Sequence, residues 1–104
     1  MKIIKDLSDM IEDELKGAEH YAMYALQHRS DHPMLSDVLF EISNQEMRHV
    51  NMLHEEVVKL IKDYRDKHGE PPPAMQAIYE WMHNRQIEDT KEIKILQDQY
   101  RNMP

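Results

Sequence analysis

Apolar side chains recur along most of the chain at steps of three and four, the spacing that lines one face of an α-helix. In the first run Leu7, Ile11, Glu14, Ala18, Tyr21, Ala25 and His28 share this rhythm; in the second Leu35, Leu39, Ile42, Glu46, His49, Leu53, Val57 and Leu60 do. Strand-like alternation is absent. Glycine stands only at 17 and 69, and proline only at Pro33, in the Pro71-Pro72-Pro73 run and at Pro104. That punctuation predicts three helices, at about residues 3–29, 34–67 and 74–102, in one domain spanning 1–104 with a Pro-rich linker at 68–73. The expected fold is all-α: an antiparallel two-helix hairpin turning at Ser30-Asp31-His32-Pro33, followed by a third, C-terminal helix. This last helix has a thinner stripe (Met75, Ile78, Trp81, Met82, Ile93, Leu96, Tyr100), so it is expected to be held off by the stiff linker and to pack as an arm or interface element.

Charges inside the two dense stripes carry the chemistry. Glu46 and His49 form a Glu-x-x-His pair where hydrophobes are expected, and Glu14 interrupts the first stripe in the same way. An ionised carboxylate is costly to bury without a partner. Glu14 precedes the Ser30–Pro33 turn by about as many residues as Glu46 and His49 follow it, so an antiparallel hairpin brings the three to one level. A Glu-x-x-His pair offers an oxygen and a nitrogen on one helix face, and a bundle enclosing two such pairs and two further Glu holds two metal ions. Glu14, Glu46 and His49 are therefore the candidate ligands, with a buried polar pair that only sets register as the other reading.

The spacing alone is weak evidence, since eleven Glu and seven His produce it about once by chance. A second pair, Glu80 and His83, falls mostly off the apolar stripe of its helix and is read as solvated, with an accessory or intersubunit metal contact as the alternative. Tyr21, two turns beyond Glu14, can hydrogen-bond a ligating carboxylate or simply fill the core. His20, His28, His32, His54 and His68 are read as surface, turn or seam histidines, and the nine Met as adaptable core and interface filler.

Composition narrows the class. A formal net charge of −7 disfavours nucleic acid and anionic membrane as main partners, and no run reaches the length of a membrane span. No cysteine is present, which leaves oxygen and nitrogen as ligand atoms. The N-terminal residues show no secretory apolar core, so a cytoplasmic location is expected. A two-helix hairpin has too little core to bury its apolar face alone, so self-association is expected.

Glu14-Leu15-Lys16-Gly17-Ala18-Glu19-His20-Tyr21, followed by Gln45-Glu46-Met47-Arg48-His49, resembles the ferritin-like di-iron proteins: a helix-one Glu with a Tyr seven residues on, then a helix-two Glu-x-x-His. The match covers roughly residues 7 to 61. Half of the site followed by a short third helix is similar to the encapsulated ferritins, in which two protomers complete the four-helix bundle and share the iron site. The resemblance implies a homodimer, a ring of dimers and an encapsulin shell as partner. It implies Glu14 as the helix-one ligand, Glu46 as the carboxylate reaching both metals, His49 as the terminal nitrogen ligand, and two iron ions per dimer. The implied activity is ferroxidase, oxidation of iron(II) to iron(III) by dioxygen or peroxide. Two other readings stand beside it: a manganese or mixed-metal catalase-like or oxidase site on the same ligands, and a metal-free helical interaction module.

Overall fold

In a computed structural model of the protein, which describes residues 2–103, three α-helices account for nearly the whole chain. They are α1 (Lys2–Gln27), α2 (Pro33–His68) and α3 (Pro73–Arg101). Together they form a rod of 55 × 18 × 18 Å. The long dimension is that of α2 itself, since 36 residues at about 1.5 Å each span about 54 Å.

The helices run up, down and up, as their cross-links show. Ser43 Oγ on α2 donates to the Ala18 carbonyl of α1 at 2.7 Å, and Ser36 Oγ donates to the Ala25 carbonyl. On the third helix, Gln97 Nε2 donates to Ser43 Oγ at 3.0 Å, while the Tyr100 hydroxyl lies 3.1 Å from Ser36 Oγ and donates to Asp37. Later residues of α1 and α3 thus meet earlier residues of α2. The buried line of α1 is Ile4, Ile11, Ala18 and Ala25, flanked by Ser8, Leu15 and Ala22; that of α2 is Ser36, Ser43, Val50 and Val57. Both lines repeat every seven residues, which keeps one face turned inward over two turns.

Local sequence explains the ends. Pro33 occupies the first turn of α2, where its missing N–H is no loss. In the preceding turn His28 hydrogen-bonds the Asp31 carboxyl at 3.3 Å, holding it below the usual carboxylate range. Gly69 ends α2 at φ +75°, a conformation that residues with a Cβ rarely adopt, and its N–H bonds the Arg65 carbonyl at 2.8 Å.

Two expectations require correction. The third helix is not an arm held at a distance: Gln86, Ile93, Gln97 and Tyr100 are buried against the other two helices. The linker between Gly69 and Pro72 is a tight return rather than a spacer, with Pro71 buried and its carbonyl accepting a 2.7 Å bond from Gln76 Nε2. At the far end Tyr100 stacks on Phe40 with ring centroids 4.3 Å apart, and Arg29 covers the Tyr100 ring at 4.7 Å. The second correction concerns the seam of α2. Of the residues assigned to it, Val57 is buried, Leu39, Ile42, Glu46, Leu53 and Leu60 are half-buried, and Leu35 and His49 are exposed. The face that α2 turns inward runs one line over, through two serines whose hydroxyls are satisfied by helix carbonyls or by Gln97.

Ile93, fully buried on α3, separates a docked helix from an arm. Ile93→Ala is expected to cost about 2–5 kcal/mol in urea unfolding, whereas Trp81→Ala, at a residue 59% exposed, stays within about 0.5 kcal/mol. Equally small effects at both positions would mean that α3 does not contribute to the core.

Candidate metal centre

The register that joins Ser43 to Ala18 carries the chain on to a polar layer. One helical turn further from the hairpin bend, Glu14 of α1 meets Glu46 and His49 of α2. Each offers one donor atom, and all three donors lie within 4.8 Å of one another. His49 Nδ1 and Glu14 Oε2 are 3.3 Å apart. This is the only such gathering of three metal-ligating side chains among the described residues. On a small divalent cation with bonds of about 2.1 Å, neighbouring donors stand about 3 Å apart and opposite ones about 4.2 Å. The His49–Glu14 pair thus has the spacing of adjacent ligands, and the Glu46 donor lies within 4.8 Å of both.

The layer is open on one side. The Glu14 side chain is 28% exposed and that of His49 53%. All the donors come from one side of a prospective ion, leaving the rest of its coordination sphere toward solvent. Apolar side chains lie further along that face: Ile3 and Met10 stand on the Glu14 side of α1, Leu35 stands two turns from Ile42 on α2, and each is about half exposed. Leu7 and Leu53 are only partly buried beside the core. The third helix covers the other side of the α1–α2 pair, through Ser36, Phe40 and Ser43.

Gly17 takes part in the site although its sequence position alone did not mark it. A Cβ at this position would lie 3.3 Å from Glu46 Oε2 and 3.5 Å from its carboxyl carbon. The absent side chain leaves the place where the Glu46 carboxylate rests against α1. A glycine inside a helix costs roughly 0.5–1 kcal/mol relative to alanine, and a lone glycine in the middle of a long amphipathic helix is the sequence signal of such a close approach.

The remaining candidates fall elsewhere. Tyr21 is half-buried on the Glu14 face and lies against the His20 ring at 6.4 Å; among the described residues its hydroxyl bonds neither ligand carboxylate. Among the described residues the second Glu-x-x-His pair joins no close group of three metal-ligating side chains, and His83 stacks on His54 of α2, with ring centroids 5.4 Å apart. His20, Tyr24, His28 and His32 form a chain of ring contacts along the outside of α1 and its turn.

No family model matches the chain, and neither a curated protein nor a solved structure does. The chemistry of this layer must therefore be argued from its geometry.

Gly17→Ala tests that geometry without removing a donor. It is expected to stabilise the metal-free protein by up to about 1 kcal/mol through helix propensity, while weakening binding of a divalent ion because the Glu46 carboxylate is displaced. Urea unfolding and metal titration read the two effects separately, and tighter or unchanged metal binding would place Glu46 outside the site.

Proposed function

We propose that Glu14, Glu46 and His49 bind iron(II) as substrate, that two copies of the chain pair to complete a two-ion site, and that the protein acts as a ferroxidase. The observation that carries this reading is the convergence of two carboxylates and one imidazole on the open side of the α1–α2 pair, all donors within 4.8 Å. Two hard oxygens with one nitrogen suit iron(II) or manganese(II) better than a soft cation. The pairing explains why the donors stop at three and why half-exposed Ile3, Met10 and Leu35 lie further along the same face. A second copy brought face to face supplies the same donors in opposite order and covers those side chains, as a symmetric interface must. The sequence resemblance to encapsulated ferritins points the same way; ring assembly and delivery to a shell are further parts of that reading.

The protein's part in the reaction follows from charge. The Glu14 and Glu46 carboxylates of a pair carry four negative charges, which balance two iron(II) ions. Oxidation by dioxygen moves one electron from each iron(II) to the oxidant, so that two iron(II), one dioxygen and two protons give two iron(III) and one hydrogen peroxide. The product ions carry two positive charges more than the carboxylates offset, so charge balance favours their release or their neutralisation by hydroxide over retention. His49, exposed at the rim, contributes a neutral donor that leaves this balance unaltered. With Glu14 and His49 only 3.3 Å apart, an ion that took an oxygen of one and a nitrogen of the other would replace their contact with each other.

Elemental analysis of iron-loaded protein is expected to give one ion per chain, and sedimentation in the absence of oxygen is expected to show association strengthened by iron(II), because ions that bind only the pair stabilise it by mass action. Two tightly held ions in a demonstrable monomer would overturn the shared site. Manganese in protein purified from its native host, with no iron(II) oxidation, would move the assignment to a manganese oxidase or catalase-like protein. His49→Ala and Glu46→Ala should each abolish most iron(II) oxidation, and Glu14→Ala nearly as much, since residues that act as a unit fail together. Full oxidation by the His49 variant would remove the layer from the mechanism, and full assembly without metal would favour a simple interaction module.

A further inference from the structure

The groove between α2 and α3 presents a second group of donors that the proposed function does not use. The two helices approach each other less closely than either approaches α1. Between them lies an open cavity of about 450 Å³, lined by apolar residues from all three helices and by His54, Glu80, His83 and Gln86. The two imidazoles face each other across the gap, one from each helix, with ring centroids 5.4 Å apart and planes 21° from parallel. Gln86, one turn beyond His83, is only 8% exposed, yet its Nε2 has no hydrogen-bond partner among the described residues. A buried amide left without an acceptor costs about 1–3 kcal/mol, so something that accepts a hydrogen bond belongs beside it.

We infer that this groove is a second metal site, with His54 and His83 as its two fixed ligands, which binds a zinc-like transition-metal dication and clamps α3 to α2. With metal–nitrogen bonds of about 2.0–2.1 Å, each ring centre stands about 3.2 Å from the ion, and two such rings at a tetrahedral angle have centres about 5 Å apart. The observed separation of the ring centres suits one ion, and the stacked rings must turn about their Cβ–Cγ bonds to aim a nitrogen of each at it. Glu80, a helical turn before His83, is the carboxylate within reach by side-chain rotation. A water completing the coordination is an acceptor for Gln86 Nε2, which accounts for the unpartnered amide. Imidazole-rich donor sets favour zinc, nickel and copper(II) over iron(II), so this site and the carboxylate layer differ in the metals they select. Charge does not oppose a cation here: Lys62 and Arg65 on the α2 wall are offset by Asp66 and Glu80, and Arg65 is held by Glu70 at 3.2 Å. Because the ligands sit on different helices, an ion bound only when α3 is docked stabilises the docked state.

Zinc titration of the full chain, followed by calorimetry and thermal unfolding, tests this independently of iron chemistry. With Glu46→Ala and His49→Ala together removing the carboxylate layer, one zinc per chain is expected to remain and to raise the melting temperature. Adding either His54→Ala or His83→Ala should weaken that binding about tenfold or more and abolish the rise, with Glu80→Gln having a smaller effect. His83→Ala alone should leave iron(II) oxidation unchanged, so failure of this site and failure of the ferroxidase reading are distinguishable. Should the layer variant not fold, imidazole NMR signals of the unaltered protein serve instead: zinc should shift those of His54 and His83. Zinc binding that survives His83→Ala in a folded chain, that is lost on His28→Ala instead, or that leaves the melting temperature unmoved would overturn the inference.

Discussion

The close approach of α1 and α2 over small residues sets the position of every other group in this structure. Ala18 and Ala25 on one helix face Ser43 and Ser36 on the other, and the serine hydroxyls reach across to helix carbonyls, that of Ala18 within α1 and that of Ala25 in its last turn. A carbonyl oxygen has two lone pairs, and one in the last turn lacks an intrahelical donor, so these bonds cost the α-helix nothing. Each such bond contributes about 1 kcal/mol net, which is modest beside the burial of Ile4, Ile11 and Leu15. Its larger effect is on register. The serines and their carbonyl partners share the seven-residue repeat, so a slip of one turn, about 5.4 Å, breaks both bonds together and sets half-buried side chains against the serines. In the register that remains, Ile11 meets Val50 and Ile4 meets Val57 further along, and Glu14 falls level with Glu46 and His49 between the Ala18–Ser43 and Ile11–Val50 layers.

The same serines receive α3. Ser43 donates to Ala18 and accepts from Gln97, so one hydroxyl joins all three helices. Of the residues that α3 buries, only Ile93 is aliphatic; Gln86, Gln97 and Tyr100 are polar or carry a polar tip. The helix is thus specified by hydrogen bonding and by the Tyr100–Phe40 stack more than by hydrophobic area. Such an interface fixes one position well, because a displaced Gln97 or Tyr100 leaves buried polar atoms without partners. It also leaves room toward the linker, where α2 and α3 diverge and Gln86 Nε2 has no acceptor among the described residues.

These features explain which parts of the molecule were legible in the sequence. Helix number and ends followed from proline, glycine and apolar spacing, and the level of Glu14 with Glu46 and His49 followed from distance to the turn. The inward face of α2 was not legible, because Ser36 and Ser43 count as polar in any hydropathy pattern and only their carbonyl partners make them core residues. The docking of α3 was hidden for the same reason: Gln86 and Gln97 dilute its stripe, and complementarity to Ser43 cannot be weighed without the fold. Gly17 was visible as an interior glycine, but the carboxylate it accommodates belongs to another helix. His54 and His83 each looked unremarkable alone, and their meeting depends on α3 lying against α2 rather than standing off.

The misplaced seam bears on the proposed pairing. A seam through Leu35, Ile42 and His49 that faced inward within one chain would need no partner to hide it. With the serine line facing inward instead, those side chains and, further along, Ile3, Leu7 and Met10 of α1 lie on a face that α3 does not occupy. Moving α3 onto that face would abandon Ser43, Asp37 and Phe40, leaving polar groups of both helices unsatisfied. The chain's own third helix is therefore a poor competitor for the position that the metal layer leaves open. The proposed closure by a second copy follows from this division: one side of the α1–α2 pair is committed to α3 by hydrogen bonds, and the other combines apolar side chains with three converging donors.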